Sequence, residues 1–122
     1  MNLPIRWLRA CLLLLALTAA FPAAAVDEKD LLPVDEAYVL SASAPNRDRI
    51  ELHWKIADGY YLYRHRTSAT ATGFDAGPLQ LPAGEPHEDE FFGKVETYRG
   101  QLRGVLTGAA GADTVKLTVK YQ

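Results

Sequence analysis

The segment IELHWKI, residues 50–56, is the most regular part of this 122-residue chain. Its apolar and polar side chains alternate at every position, which is the period of a β-strand with one buried face and one solvated face. His53 falls on the solvated face, so we expect a hydrated histidine there and not a ligand. Residues 114–122 alternate in the same way and predict a second amphipathic strand.

Further segments of strand character follow one another with turn signals between them. They lie at residues 38–40, 60–64, 68–72, 79–81, 95–98 and 102–106. Segments 95–98 and 102–106 are expected to pair with each other across residues 99–101, and residues 108–113 are expected to form a loose loop. No helical period appears after residue 25. The pattern predicts an all-β fold, an immunoglobulin-like β-sandwich, that is incomplete at its C-terminus because the last strand is still alternating at Gln122.

The first 25 residues have the composition of an export signal. Arg6 and Arg9 form a positive segment, residues 10–20 form an apolar core, and three alanines at 23–25 are typical of a cleavage site. The apolar core is too short to span a bilayer, which needs about 20 residues. We therefore expect a signal peptide at residues 1–25 and an exported domain at residues 26–122.

Loss of the signal would leave an acidic domain without a thiol. All 15 acidic residues follow residue 25, whereas two of the 13 basic residues precede it, so the formal charge of residues 26–122 is 11 minus 15, or −4. This balance does not favour nucleic acid as a partner. Cys11 is the one cysteine of the chain. Because it lies in the signal, the exported domain cannot use the disulfides on which small secreted domains often depend.

The segment PHEDEFFGK, residues 86–94, places three consecutive acids next to two phenylalanines. Surface loops are normally polar, so Phe91 and Phe92 need an apolar surface to lie on. Two interpretations stay open: the rings anchor the loop to the core, or they cover a group that must be kept from water. Tyr61 and Tyr63 share one face of segment 60–64, and they serve either in ordinary packing or beside such a group.

Familiar catalytic and metal-binding motifs are not found in the sequence. It contains no Gly-x-Ser-x-Gly, and its glycines are too scattered to cradle a phosphate. Residues 87–90 offer metal-binding side chains, but neighbours in an extended loop point in different directions, and the spacing of an EF-hand is missing. We therefore expect neither a metal nor another cofactor.

Three segments together resemble the amino-terminal periplasmic domain of the DsbD family of thiol:disulfide interchange proteins. They are DGYYLYR at 58–64, HEDEFFGK at 87–94 with the Tyr-Arg pair at 98–99, and LTVKYQ at 117–122. Their order and spacing match the family across nearly all of residues 31–122. The resemblance implies an immunoglobulin-like sandwich that carries a redox cysteine pair. It also implies a cap loop over that pair, with two aromatic residues beside it: Asp89, Glu90, Phe91, Phe92 and Gly93 in the loop, and Tyr61 and Tyr63 at its side.

The resemblance also implies a function and partners. In the family, electrons pass from cytoplasmic thioredoxin through a membrane domain to a thioredoxin-like domain of the same protein. The amino-terminal domain then delivers them to periplasmic disulfide isomerases and to the cytochrome c maturation thioredoxin. We therefore expect this chain to be a periplasmic part of a protein-disulfide reductase whose full-length parent lies in the inner membrane.

The cysteine pair of the family follows the tyrosine-glutamine that matches Tyr121 and Gln122. Residues 26–122 are thus expected to hold the scaffold and the cap but no catalytic residue, because the attacking species in exchange is a thiolate. Whether they act as an enzyme stays open. Near such a thiol, Asp89 and Glu90 would raise its pKa by like-charge repulsion, or they are simply solvated loop charges.

A second function stays open beside the redox relay. A cysteine-free periplasmic β-sandwich could bind a partner without any electron transfer and use Phe91 and Phe92 as an exposed anchor. The codons after Gln122 in the gene distinguish the two functions, since only the relay needs a cysteine pair there.

Overall fold

The computed structural model describes residues 30–122, of which residues 32–122 form one compact unit. The expected signal peptide at residues 1–25 lies outside the described residues. A one-turn helix, Val34–Ala37, precedes the first strand, and a 3-10 turn, Arg64–Arg66, follows the third. The strands are β1 (Tyr38–Asn46), β2 (Arg49–Ile56), β3 (Leu62–Tyr63), β4 (Ser68–Thr72), β5 (Phe74–Ala76), β6 (Glu85–Asp89), β7 (Gly93–Tyr98), β8 (Gln101–Ala110) and β9 (Lys116–Lys120).

The strands form a four-stranded sheet in the order β1-β2-β8-β5, a three-stranded sheet in the order β3-β7-β6, and the pair β4-β9. All of these pairings are antiparallel. The predicted all-β sandwich is confirmed. Within residues 30–122 no helix is both long and apolar enough to cross a membrane.

Strand β2 supplies the centre of the core. Its apolar face is buried as predicted, and Trp54 has no exposed surface. Leu102 of β8 stands directly beside Trp54 in the sheet and is also buried. Leu62 of β3 and Leu117 of β9 pack against this face from the two other sheets. Burial of each large apolar side chain contributes about 1.5–3 kcal/mol, so the three sheets are held together mainly through β2 and β8.

The prediction that segments 95–98 and 102–106 pair with each other is wrong. Strand β7 pairs with β3 and β6, whereas β8 pairs with β2 and β5. The chain crosses between layers at Gly100, whose carbonyl oxygen accepts a hydrogen bond from the N–H of Ile56 at 2.8 Å. The prediction assumed that consecutive strands pair, as they usually do. Alternation shows only that each strand has one buried face, and that face is buried whether the two strands pair with each other or lie in different sheets.

Two further segments differ from the predictions. Residues 108–110 belong to β8 and pair with β5, so the expected loose loop begins only at Gly111. Residues 79–81 were expected to form a brief strand, but only Gln80 makes a ladder contact, with Val105. Leu79 and Leu81 on either side of it lie over Gly104, where the missing side chain leaves room for them.

The segment expected to be a surface loop is mostly a β-hairpin. Strand β6 and strand β7 pair from Glu85 with Thr97 to Asp89 with Gly93, and only residues 90–92 form the turn. Pro86 is accommodated because β6 is the edge strand of its sheet and its backbone need not donate on the open side. The two phenylalanines therefore stand at the tip of a paired β-hairpin.

Strands β5 and β8 approach each other closely at Gly108. A Cβ atom on this residue would stand 1.9 Å from the carbonyl oxygen of Asp75, so the strands must separate to admit it. We expect Gly108→Ala to lower the free energy of unfolding by about 1–3 kcal/mol, the range of overpacking.

The matched control is Gly77→Ala, where a Cβ atom would meet only the carbonyl oxygen of Thr107 at 4.0 Å. This variant should stay within about 0.5 kcal/mol of the parent chain. Urea denaturation of the three proteins measures both values. Equal losses for the two variants would contradict the close approach.

Candidate functional site

The hairpin tip is organised by the carboxylate of Asp89, the last residue of β6. Its Oδ1 atom accepts hydrogen bonds from the N–H groups of Phe91 at 2.7 Å and Phe92 at 3.0 Å. These donors have no strand partner in the turn, so the carboxylate takes the place of backbone pairing. Gly93 then leaves the turn with a φ of 73°, a conformation that favours glycine. Asp89 is only 9% exposed, so the predicted cap-loop acid is a buried structural element.

Tyr63 reaches the same carboxylate from the neighbouring strand. Its hydroxyl donates a short hydrogen bond to Oδ2 of Asp89, and it lies 3.3 Å from the hydroxyl of Tyr61. The two tyrosine rings meet edge to face, with centroids 5.3 Å apart. Since β3 pairs with β7, the fold places this pair directly beside the hairpin. The structure thus brings together the two tyrosines and the acid that the sequence singled out.

The hydrogen bonds shift the two ionisable groups in opposite directions. The hydroxyl of Tyr63, with the N–H groups of Phe91 and Phe92, lowers the pKa of Asp89, because all three stabilise the carboxylate. The same carboxylate raises the pKa of Tyr63, with Tyr61 adding to the effect. At neutral pH the site therefore holds the negative charge of Asp89 beside an uncharged Tyr63.

The two phenylalanines of the tip differ in their surroundings. Phe91 is 81% exposed and projects from the turn. Phe92 is 41% exposed and packs edge to face on Tyr63 at 5.3 Å and on His65 at 4.8 Å. Phe92 therefore holds the turn against Tyr63 and His65, and it is not part of the buried core. Glu90 between the acid and the rings is exposed.

Sequence reasoning missed the basic residues around the aromatic group. The 3-10 turn is closed by Thr67, whose hydroxyl donates to the carbonyl oxygen of Tyr63 at 2.8 Å. This turn carries His65 and Arg66 to Phe92, with the Arg66 guanidinium 5.6 Å from the ring centroid. Arg99 lies over Tyr61 at 4.8 Å. The run Arg-His-Arg after Tyr63 is visible in the sequence, but the pattern does not show that it forms a 3-10 turn and meets Phe92.

The acidic run of the hairpin does not converge on one point. His87 and Asp89 lie on one face of β6, where the imidazole meets Tyr61 at 5.6 Å, whereas Glu88 lies on the other face. No group of three or more histidine, cysteine or acidic side chains in the described part of the chain could hold a metal ion.

A β-sandwich with an aromatic hairpin tip over a tyrosine–carboxylate cluster has known relatives. Residues 28–122 match the family described as the N-terminal part of the thiol:disulfide interchange protein DsbD. The chain belongs to this family, and its fold is immunoglobulin-like.

Full-length relatives are similar over most of this chain. The thiol:disulfide interchange protein DsbD of Actinobacillus pleuropneumoniae is 42% identical over 96 residues, which cover 79% of this chain and 16% of that protein. The DsbD protein of Salmonella choleraesuis is 42% identical over 113 residues, or 91% and 20% of the two chains. The chain therefore spans at most a fifth of the length of these relatives.

Two solved structures share the fold. The reduced N-terminal domain of Neisseria meningitidis DsbD has a TM-score of 0.70 and 31% identity, with 80% of this chain and 78% of that chain covered. The same kind of domain in a complex with the PilB N-terminal domain, also from Neisseria meningitidis, has a TM-score of 0.64 and 33% identity, with 76% and 73% covered.

The substitution Asp89→Asn separates the two roles of this carboxylate, which accepts hydrogen bonds from the turn and from Tyr63. The amide oxygen can still accept from the turn, but the NH₂ group cannot accept from Tyr63. We expect the pKa of Tyr63 to fall towards its ordinary value, since its largest perturbing contact is gone. The ring signals of Tyr63, followed by NMR against pH, measure the change. The double variant Tyr63→Phe/Asp89→Asn should be at least as stable as the less stable of the two single variants. Both substitutions remove the same hydrogen bond, so the second costs nothing more.

The turn should also depend on pH through Asp89. Its folded-state pKa is depressed, so its stabilisation is complete above the ordinary aspartate pKa of about 3.9 and is lost as the pH falls through the lower folded value. The amide signals of Phe91 and Phe92 should therefore shift in that acidic range. In Asp89→Asn they should not shift there, and an unchanged titration would contradict the assignment.

Proposed function

We propose that this domain performs the periplasmic exchange step of a DsbD protein, with the hairpin tip as a cap over a cysteine pair. The observation that carries the proposal is the contrast between an exposed Phe91 and the buried Asp89 that holds the turn. Phe91 is exposed and free to cover or uncover a neighbour, while Asp89 and Phe92 hold the backbone beneath it. Membership of the DsbD N-terminal family supports the assignment to thiol–disulfide interchange.

Gln122 lies next to the tyrosine pair, and the family resemblance implies that a cysteine pair follows it. Its carbonyl oxygen accepts a hydrogen bond from the N–H of Tyr63 at 2.8 Å, and its side chain accepts one from Arg66 at 3.0 Å. Residues that come after Gln122 would start beside the tyrosine pair and the hairpin tip. In this proposal a thiolate of the pair attacks a partner disulfide and expels one partner thiolate, which leaves a mixed disulfide. The second cysteine of the pair then attacks that bond, so the pair becomes a disulfide and the partner leaves as a dithiol.

A cap fits the chemistry of an exposed dithiol in an oxidising compartment. Access limits the rate of exchange, so an apolar ring over the sulfur atoms slows reaction with the wrong partners. A cognate surface that binds the ring can draw it aside. The buried negative charge of Asp89 raises the pKa of a nearby thiol and so lowers its thiolate fraction while the cap is closed.

The wider pathway is part of the same proposal. Residues 1–25 would direct export and residues 26–122 would act in the periplasm. Electrons would come from a thioredoxin-like domain of the same protein and pass to disulfide isomerases and the cytochrome c maturation thioredoxin. The solved complex of a related domain with the PilB N-terminal domain supports a protein as the partner.

A second candidate is a module that binds a partner without electron transfer. The 81% exposure of Phe91 favours it, because an exposed aromatic residue at the tip of a hairpin suits the centre of an interface. Sequencing the gene beyond the codon for Gln122 separates the two. A Gly-Cys sequence with a second cysteine within about ten residues supports exchange by one dithiol, and an immediate stop codon supports the binding module.

Phe91→Ala and Phe92→Ala should differ in their effect on stability. Phe91 makes few contacts, so its removal should change the free energy of unfolding by about 0.5 kcal/mol or less. Phe92 loses two aromatic contacts, each worth about 0.5–1.5 kcal/mol, so its removal should lower stability more. Chemical denaturation of the two variants gives both values.

The cap function itself is tested on a chain extended through its cysteine pair. Phe91→Ala should speed oxidation of the reduced pair by a small oxidant, because the sulfur atoms become accessible. Phe74→Ala, a core change in β5, is the control for a general loosening of the domain. A large loss of stability with no gain in oxidation rate for Phe91→Ala would make that residue a packing element and remove the cap.

A further inference from the structure

Tyr61 immediately precedes β3, so the ladder between β3 and β7 does not include it. Its carbonyl oxygen accepts a hydrogen bond from the hydroxyl of Tyr38 at 2.9 Å. Its ring meets Tyr63 edge to face at 5.3 Å and lies 5.6 Å from the ring of His87. The guanidinium of Arg99 stands over the ring at 4.8 Å from its centroid. Side-chain contacts therefore decide where the hydroxyl of Tyr61 lies.

Arg99 comes directly after β7, and the register of β3 with β7, continued by one residue, puts it opposite Tyr61. Its carbonyl oxygen accepts a hydrogen bond from the N–H of Gln101 at 2.9 Å, across Gly100 with its φ of 75°. The backbone of Arg99 is thus fixed where the chain crosses between the sheets. Within residues 30–122 its side chain forms no ion pair. The face of the Tyr61 ring, which attracts a cation, is its contact.

The hydroxyl protons of the tyrosine pair both point towards Asp89. A tyrosine hydroxyl has one proton to donate, and Tyr63 donates its proton to the carboxylate of Asp89. In the contact of 3.3 Å between the two hydroxyls, Tyr61 must therefore be the donor. No other hydrogen bond to the hydroxyl of Tyr61 is seen in the described part of the chain. The outer end of this chain of hydroxyls is thus an oxygen atom that can accept a hydrogen bond but has no proton left to give.

We infer that Arg99 is a positioning residue of the exchange site, which holds Tyr61 so that its hydroxyl oxygen accepts the proton of a thiol in the cysteine pair. The inference rests on the proposed function and adds a way of keeping the pair unreactive. The N–H of Tyr63 donates to the carbonyl oxygen of Gln122, so a cysteine soon after Gln122 would stand near this hydroxyl. A hydrogen bond from the neutral thiol disfavours the thiolate, which is the attacking species.

The charged groups around Tyr61 separate positioning from a direct effect of charge. Asp89 and Glu90 raise the pKa of a nearby thiol, whereas Arg99 and a protonated His87 lower it. Loss of the Arg99 charge alone therefore raises the thiol pKa and slows reaction of the thiol at neutral pH. Loss of the hydrogen bond from the thiol to Tyr61 lowers the thiol pKa and speeds that reaction. Direct charge and positioning thus predict opposite changes when Arg99 is neutralised.

The test follows alkylation of the reduced pair by iodoacetamide against pH, in the chain extended through its cysteines. Tyr61→Phe should lower the apparent pKa of the first thiol to react, which makes alkylation at neutral pH about threefold faster. Arg99→Gln should shift the profile in the same direction, and the double variant should match Tyr61→Phe, because both changes act through one hydroxyl. Arg103→Gln is the control, since it removes the same charge from an exposed position on β8. Denaturation midpoints confirm that every variant is folded.

Four outcomes overturn the inference. Slower alkylation in Arg99→Gln would show that the guanidinium acts on the thiol directly through its charge. An unchanged profile in Arg99→Gln would show that Tyr61 needs no positioning by this residue. Effects of Arg99→Gln and Tyr61→Phe that add in the double variant would show that they act independently. A gain of the same size at every pH would show a loosened cap and not a lost acceptor.

Reduction of a disulfide-bonded peptide by the same extended chain tests the proposed function separately. If the parent pair reduces the peptide and the pH profiles of parent and variants coincide, the inference is wrong and the proposed function stands. If the parent pair reduces no disulfide, the proposed function is wrong, and the inference fails with it.

Discussion

Burial of one face of β2 is the constraint on which the rest of the structure depends. Trp54 has no exposed surface, and a strand alone cannot enclose an indole ring. The two smaller sheets must therefore cover the four-stranded sheet, and the chain has to cross between layers after β7. That crossing leaves β7 between β3 and β6. The hairpin and the tyrosine pair are consequently neighbours because of how the core closes, and not because of their separation in sequence.

The Asp89 carboxylate links this scaffold to its surface. One oxygen atom replaces the missing backbone partners of the turn, and the other accepts the hydroxyl of Tyr63 from a different strand. The tip is thus fixed to the sheet from two directions. A single buried charge gives the turn its shape and also sets the local electrostatic field, so shape and charge cannot be changed independently except by replacements as conservative as asparagine.

The different surroundings of the two phenylalanines follow from the way Asp89 shapes the turn. Phe92 lies against Tyr63 and His65, which holds the turn down, and Phe91 remains in solvent. A rigid support under an exposed ring suits both a cap that opens for a partner and an anchor that binds one. In the proposed relay the two are successive states of one residue: the partner that binds the ring also uncovers the group below it.

The sequence alone determined the elements whose pattern is local. Alternation in residues 50–56 predicted the central strand and its buried face, and the run of short strands predicted the β-sandwich. Three short motifs were enough for the family, because their residues and spacing are specific. The site residues Tyr61, Tyr63 and Asp89 were named from the same motifs, although nothing in the sequence shows that they touch.

Only the tertiary structure decided which strands pair and which side chains meet. The predicted hairpin between residues 95–98 and 102–106 does not form. Alternation of apolar and polar side chains is the same whether two strands pair within one sheet or pack across layers. The extension of β8 to Ala110 and the contact of His65 with Phe92 likewise depend on neighbours distant in sequence. The face of a strand on which a side chain lies is set by local backbone geometry. The residues that it contacts are set by how the whole core excludes water.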